Sequence, residues 1–192
     1  MFSGDVLIPR LKELYRDIDA SYVAAASSVA FTCAECDGMK CCTVDVTLHT
    51  FAEMLYLRRG FDTLDTSGQL AVLGRCRSII KAKEDDPFGE VYRNSVCALN
   101  FDGLCSLYQF RPMICRLAGI PHFIVRPDTT VIESGGCLRY ESEILATLPN
   151  VKIDRSGFYR SMAEIELEVV HALGRRTESR TIAETLGGED LE

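Results

Sequence analysis

Apolar positions recur at helical spacing through the first thirty residues: Val6, Leu7, Leu11, Leu14, Tyr15, Ile18 and Tyr22. A stripe of that period predicts a long amphipathic helix over about 5–30, with Pro9 in its first turn, where a missing N–H is tolerated. Thr50-x-x-Glu53 reads as a capping box, although the second helix could also begin at Thr47; either way Gly60, after Leu57-Arg58-Arg59, predicts its end. Ser67 is placed to cap a third helix running to about Lys83, with Leu70, Leu73, Ile79 and Ile80 on its apolar side. The run Glu84-Asp85-Asp86-Pro87-Phe88-Gly89 predicts a loop.

From Cys97 onward the pattern changes. Asn100 to Gly103 and Arg111-Pro112 interrupt regular structure. His122-Phe123-Ile124-Val125 and Thr130-Val131-Ile132 alternate around Pro127-Asp128, which predicts a short hairpin, and Gly135-Gly136 turns the chain into Cys137. Ser156 opens a last helix, about 157–173, with Phe158, Met162, Ile165, Val169 and Ala172 inward. The tail from Arg175 is polar and reads as loosely docked or weakly helical. The expected fold class is mainly α with a short β-hairpin: a single domain over 1–192 whose loop-rich centre, 33–137, is clamped by cysteine between helices 5–30 and 157–173.

Composition narrows the function. A chain of 192 residues is long enough to bury a core without help from a metal, unlike a small zinc finger. Its net charge of −7 argues against a nucleic-acid partner, which needs clustered Lys and Arg. The nearest basic cluster, Arg175, Arg176 and Arg180, is interleaved with Glu178 and Glu184. No apolar run approaches the roughly 18 residues needed to span a membrane. The opening residues lack the basic, apolar and small-residue succession of a secretory signal, which predicts a cytoplasmic protein.

In a reducing compartment nine cysteines favour metal ligation over disulfides, and an odd count leaves one thiol over in any complete pairing. Eight fall in two clusters: Cys33-x2-Cys36-x4-Cys41-Cys42, then Cys97-x7-Cys105-x9-Cys115 with Cys137 after it. Thiolate is a soft, anionic ligand for zinc or iron, and a CxxC knuckle turns two sulfurs toward one ion. Adjacent Cys41 and Cys42 point apart, so they suit two nearby ions, a bridge, or one ligand beside a spare thiol. Two four-cysteine sites, one binuclear site, or one four-cysteine cluster with spare thiols all fit the count. Ligand number does not separate zinc from iron or an iron–sulfur cluster.

The segment Leu104-Cys105-Ser106-Leu107-Tyr108-Gln109-Phe110-Arg111-Pro112-Met113-Ile114-Cys115-Arg116, followed by Pro121 and preceded by the CxxC…CC cluster, resembles the YkgJ-like cysteine-cluster family, described as a zinc- or iron-chelating domain. The resemblance covers about Cys33 to Cys137. It implies that Cys33, Cys36, Cys41, Cys42, Cys97, Cys105, Cys115 and Cys137 are the metal-associated residues. The gap between Cys36 and Cys41 is longer here than in that pattern. Flagellin lysine N-methylases carry a similar cysteine arrangement, but this chain has no glycine-rich loop to hold a methyl donor.

Other residues are read against plainer roles. Cys76, among Leu73 and Ile80 on a helix, is expected to be a buried core residue. His122, after Pro121 and near the second cluster, is the better histidine ligand candidate; His49 is placed to ligate or cap, and His171 to be structural or exposed. Arg111 and Arg116 flank Cys115 either as counter-charges to thiolates or as ordinary surface ion pairs. Glu141, Glu143, Glu164, Glu166 and Glu168 read as solvated helix faces. The expected function is a zinc- or iron-binding protein whose structural metal site supports interaction with a protein partner. The alternatives are an iron–sulfur or zinc enzyme acting on a peptide or small molecule, and a metal-delivery protein.

Overall fold

A computed structural model describes residues 4–29, 47–137, 151–174 and 176–188. The protein is mainly helical, with a small antiparallel hairpin, as the apolar periodicity predicts. The chain divides into two compact units. One is built from the N-terminal helix and the segment from Met113 to Gly174; the other combines the residues leading up to Pro112 with the C-terminal helix.

In the first unit, α1 (Gly4–Ser28) packs against α5 (Met113–Leu117) and α6 (Ser156–Leu173). Leu7, Leu11, Leu14, Tyr15 and Ile18 of α1 are buried, so the predicted stripe is the packed face. An Arg10–Glu168 ion pair ties α1 to α6 at the surface. On α6 the buried positions are Met162, Ile165 and Val169. Ala172, expected to face inward, is exposed because it lies in the last turn. Gly174 then ends the helix in the left-handed region (φ 65°), where a residue without a Cβ carries no penalty.

A three-stranded sheet in the order β4-β3-β5 completes this unit. β3 (His122–Val125) pairs antiparallel with β4 (Val131–Ser134) and parallel with β5 (Ile153–Asp154). The hairpin turn has Thr129 at φ 66° and a backbone bond from Arg126 N to Thr130 O of 2.9 Å. Pro127 presets the turn, and the Asp128 carboxylate accepts the Thr130 N–H at 3.0 Å.

The second unit holds α2 (Phe51–Phe61), α3 (Thr66–Asp85), the short α4 (Glu90–Arg93), strands β1 (Asn100–Phe101) and β2 (Leu104–Cys105), a 3₁₀ turn at Tyr108–Phe110, and α7 (Ile182–Gly187). Thr50 is the N-cap of α2 and forms the predicted capping box with Glu53. The N-cap of α3 is Asp65, not Ser67: its carboxylate accepts the Gly68 N–H at 2.7 Å, and Ser67 merely donates to that same carboxylate. A carboxylate at the N-terminus also complements the helix dipole better than a hydroxyl does.

The buried line of α3 is Val72, Cys76 and Ile79, and Leu70 is exposed. The true stripe is therefore rotated from the one read through Leu70. It packs with Leu57, Phe61, Leu99, Leu107, Ile182 and Leu186 in one apolar cluster. Short elements such as α4, α5, β5 and the β1–β2 pair were not anticipated. Asp102-Gly103, read as a break, is a tight hairpin turn with both residues at positive φ (49° and 83°) joining β1 to β2. The polar tail contains α7, closed by a second capping box between Thr181 and Glu184 and buried at Ile182, Ala183, Thr185 and Leu186.

Candidate metal centre

Four of the eight candidate ligands, Cys33, Cys36, Cys41 and Cys42, lie outside the described residues. The other four are all half-buried. Cys97 and Cys105 belong to the second unit, Cys115 and Cys137 to the first. Among the described residues, no three His, Cys, Asp or Glu side chains form a group suited to a metal ion.

Cys97 accepts the Asn100 N–H on its carbonyl at 2.9 Å, at the entrance to the β1–β2 hairpin. Cys105 ends β2 opposite Asn100 and partly covers the apolar cluster. It is a free thiol. Burial pushes its pKa up, against the pull of the Leu107 N–H and the Arg111 charge. Cys105 is therefore protonated at neutral pH, and a metal would have to displace that proton.

The Arg-Pro segment has clear local causes. Arg111 adopts an extended ψ of 138°, as a residue before proline must, which stops the 3₁₀ turn and releases α5. Its guanidinium lies 3.6 Å from the Tyr108 ring centroid. The Phe110 ring packs against Tyr56 with centroids 5.0 Å apart. It also fills the space where Gly60 lacks a side chain, since a Cβ there would fall 2.3 Å from Phe110 Cγ.

Cys115 follows on α5, and Arg116 beside it is buried. Arg116 is not an ordinary surface partner. Its side chain is 4% exposed, donates to the Asp19 carboxylate at 2.6 Å, and lies 4.1 Å from the Tyr15 ring centroid. Much of its charge is therefore already balanced from α1. Cys137 leaves β4 and donates its N–H to Gly119 O at 3.1 Å, in the loop between α5 and β3.

The histidines sort differently from one another. His171 is exposed on α6. His49 is buried just before the N-cap of α2, where its backbone pairs both ways with Arg180 (2.9 and 3.2 Å) and so aligns the starts of α2 and α7. Burial lowers its pKa, partly offset by the Glu53 charge. His122 opens β3 and is buried, with Nδ1 3.1 Å from Ile120 O. Its Nε2 is buried with no hydrogen-bond partner among the described residues. Such an orphaned nitrogen fits a nitrogen-plus-sulfur donor set.

Sequence reading passed over Arg155 and Asp19. Arg155 is buried, adjoins the β3–β5 pair through its N–H to Phe123 O (2.9 Å), and has an Nε without a partner among the described residues. A lone arginine after Asp154 carries no motif, so only the tertiary fold singles it out. Asp19 looks like any polar position of α1 until α5 brings Arg116 to it. Comparison with protein-family models, with curated proteins and with solved structures finds no match to this chain.

Proposed function

We propose that this is a cytoplasmic cysteine-cluster metal-binding protein, holding zinc, or alternatively iron or an iron–sulfur cluster, in a structural site that supports interaction with another protein. The observation that carries this reading is the pattern of eight cysteines, a CxxC…CC cluster followed by Cys97, Cys105, Cys115 and Cys137. The resemblance of the Cys105–Cys115 segment to the YkgJ-like family supports the same reading. The ligands would be drawn from Cys33, Cys36, Cys41, Cys42, Cys97, Cys105, Cys115 and Cys137. When bound, the ion would keep its thiolates deprotonated and cross-link the segments that carry them. No helix among the described residues is long and apolar enough to cross a membrane.

Elemental analysis of the anaerobically purified chain, together with two variants, tests this. The native protein is expected to hold at least about one zinc or iron per chain, in line with its four-or-more thiolate donors. Cys76→Ala should keep the full load, since Cys76 is fully buried in the apolar cluster. Cys115→Ala should lose metal or fold poorly. A metal-free native protein, or full metal in Cys115→Ala with loss in Cys76→Ala, would overturn the assignment.

A further inference from the structure

The end of the β3–β4 hairpin where the chain enters carries an unmet donor–acceptor set. His122 is 6% exposed. A carbonyl only accepts, so the 3.1 Å contact with Ile120 O places the ring proton on Nδ1 and leaves a lone pair on Nε2. That lone pair is buried and nothing among the described residues meets it. An orphaned buried acceptor is destabilising unless something outside the chain meets it. A ring fixed by Nδ1–H to a backbone carbonyl, with Nε2 open, has the orientation and the free lone pair of a metal-ligating histidine.

Two further observations point the same way. The hairpin ladder sets His122 opposite Ser134, and its continuation joins Cys137 to Gly119. Gly119 connects α5, which carries Cys115, to β3, which begins at His122. Both cysteines therefore belong to the backbone frame that holds the histidine. Arg155, 8% exposed, lies near enough for its charge to act on His122. Among the described residues its guanidinium bonds only the neutral Tyr159 hydroxyl, at 3.2 Å, and it rests 4.9 Å from that ring's centroid. No carboxylate among the described residues pairs with it. A buried cation without a counter-ion calls for an anionic neighbour. A divalent ion with three thiolates and one imidazole is net negative.

We propose that His122 Nε2 is a nitrogen ligand of the cysteine-held metal, giving the centre a mixed sulfur–nitrogen shell with Arg155 as its buried counter-charge. This rests on the metal-binding reading above and adds a ligand outside the cysteine set. The test is zinc-edge X-ray absorption on the full chain loaded with zinc under anaerobic conditions. The expected spectrum shows sulfur scatterers plus one imidazole with its outer-shell pattern. His122→Gln should lose the imidazole pattern, and His122→Cys should give an all-sulfur shell at unchanged stoichiometry. His49→Gln and His171→Gln should leave the native spectrum intact. An all-sulfur shell in the unaltered protein overturns the proposal while leaving the metal-binding reading standing, and it needs no variant to fold. An imidazole pattern that survives in His122→Gln overturns it too. Failure to take up zinc or iron at all sinks the metal-binding reading itself.

Discussion

Two buried places in this protein, one in each compact unit, solve the problem of burial in opposite ways. Cys76 lies fully buried in an apolar cluster, and the missing side chain of Gly187 is what lets α7 approach α3: a Cβ on Gly187 would fall 2.6 Å from Cys76 Cβ. The polar groups nearby are satisfied locally. Thr181 caps α7, and Thr185 donates to Thr181 O at 2.7 Å. At the β3–β5 end of the other unit, His122 Nε2 and Arg155 Nε are buried and unmet among the described residues. An apolar core stabilises itself by area removed from water, whereas unmet polar atoms stabilise a fold only when something else occupies the site. On the proposed reading the second place is the one a ligand would complete, and the cysteine at the first is a packing residue.

The largest expected effect breaks the self-sufficient place. Leu186 is among the most deeply buried side chains and links α7 to the cluster around Cys76. Leu186→Ala should cost about 2–5 kcal/mol through lost transfer energy and a residual cavity. Urea unfolding measures it, with hydrogen exchange to locate the loss in the second unit. The cost should be the same with and without a strong chelator. A cost that vanishes on chelation would mean that this core, too, depends on metal.

A smaller effect sharpens the same contrast by adding volume. Gly187→Ala places a methyl where Cys76 Cβ and Ile80 already sit, at 2.6 and 3.3 Å. Overpacking of this kind costs about 1–3 kcal/mol. Thermal denaturation should show the loss while metal content stays unchanged. A neutral substitution would show that α7 docks loosely, as its polar flanks suggest.

How legible these places were depends on the length of the pattern that encodes them. α1 and α6 repeat an apolar stripe over several turns, so their faces were read from Leu7, Leu11 and Ile18 and from Met162, Ile165 and Val169. α7 has two turns and only Ile182, Ala183 and Leu186 to show. Its Thr181-x-x-Glu184 box is the same signal as Thr50-x-x-Glu53, but the charged residues before it masked the short apolar run. The β1–β2 strands are two residues each, too short for alternation, so only Asp102-Gly103 could have announced them. On α3, Leu70 misplaced the stripe because periodicity alone does not say which of two adjacent apolar lines meets the core. In the candidate site, Cys76 was separable from the cluster cysteines by its helical neighbours. His122 was singled out by proximity in sequence, but its orphaned nitrogen and the buried Arg155 arise from strand pairing between residues some thirty positions apart.

The smallest effect concerns pH and again belongs to the self-sufficient unit. Glu184 closes the α7 capping box and forms an ion pair with Lys83 of α3. Burial alone would raise its pKa, but the Lys83 ammonium and the Thr181 N–H and hydroxyl together hold it below the ordinary value. A carboxyl with a lowered folded-state pKa contributes stability that is fully present above its unfolded value, about 4.3. That contribution is lost as pH falls through the folded value, because the unfolded chain then binds the proton first. Both partners are partly exposed, so the contribution should stay below about 1 kcal/mol. Urea midpoints of the native chain and Glu184→Gln, compared between pH 6 and 3, isolate it. His49, whose pKa burial lowers, also removes stability as pH drops below the ordinary histidine range, but it does so equally in both proteins and cancels. The native advantage over Glu184→Gln should hold constant down to about pH 5 and shrink below it. An advantage that persists unchanged to pH 3 would show that it does not depend on the carboxylate charge and that the Lys83 pair contributes nothing.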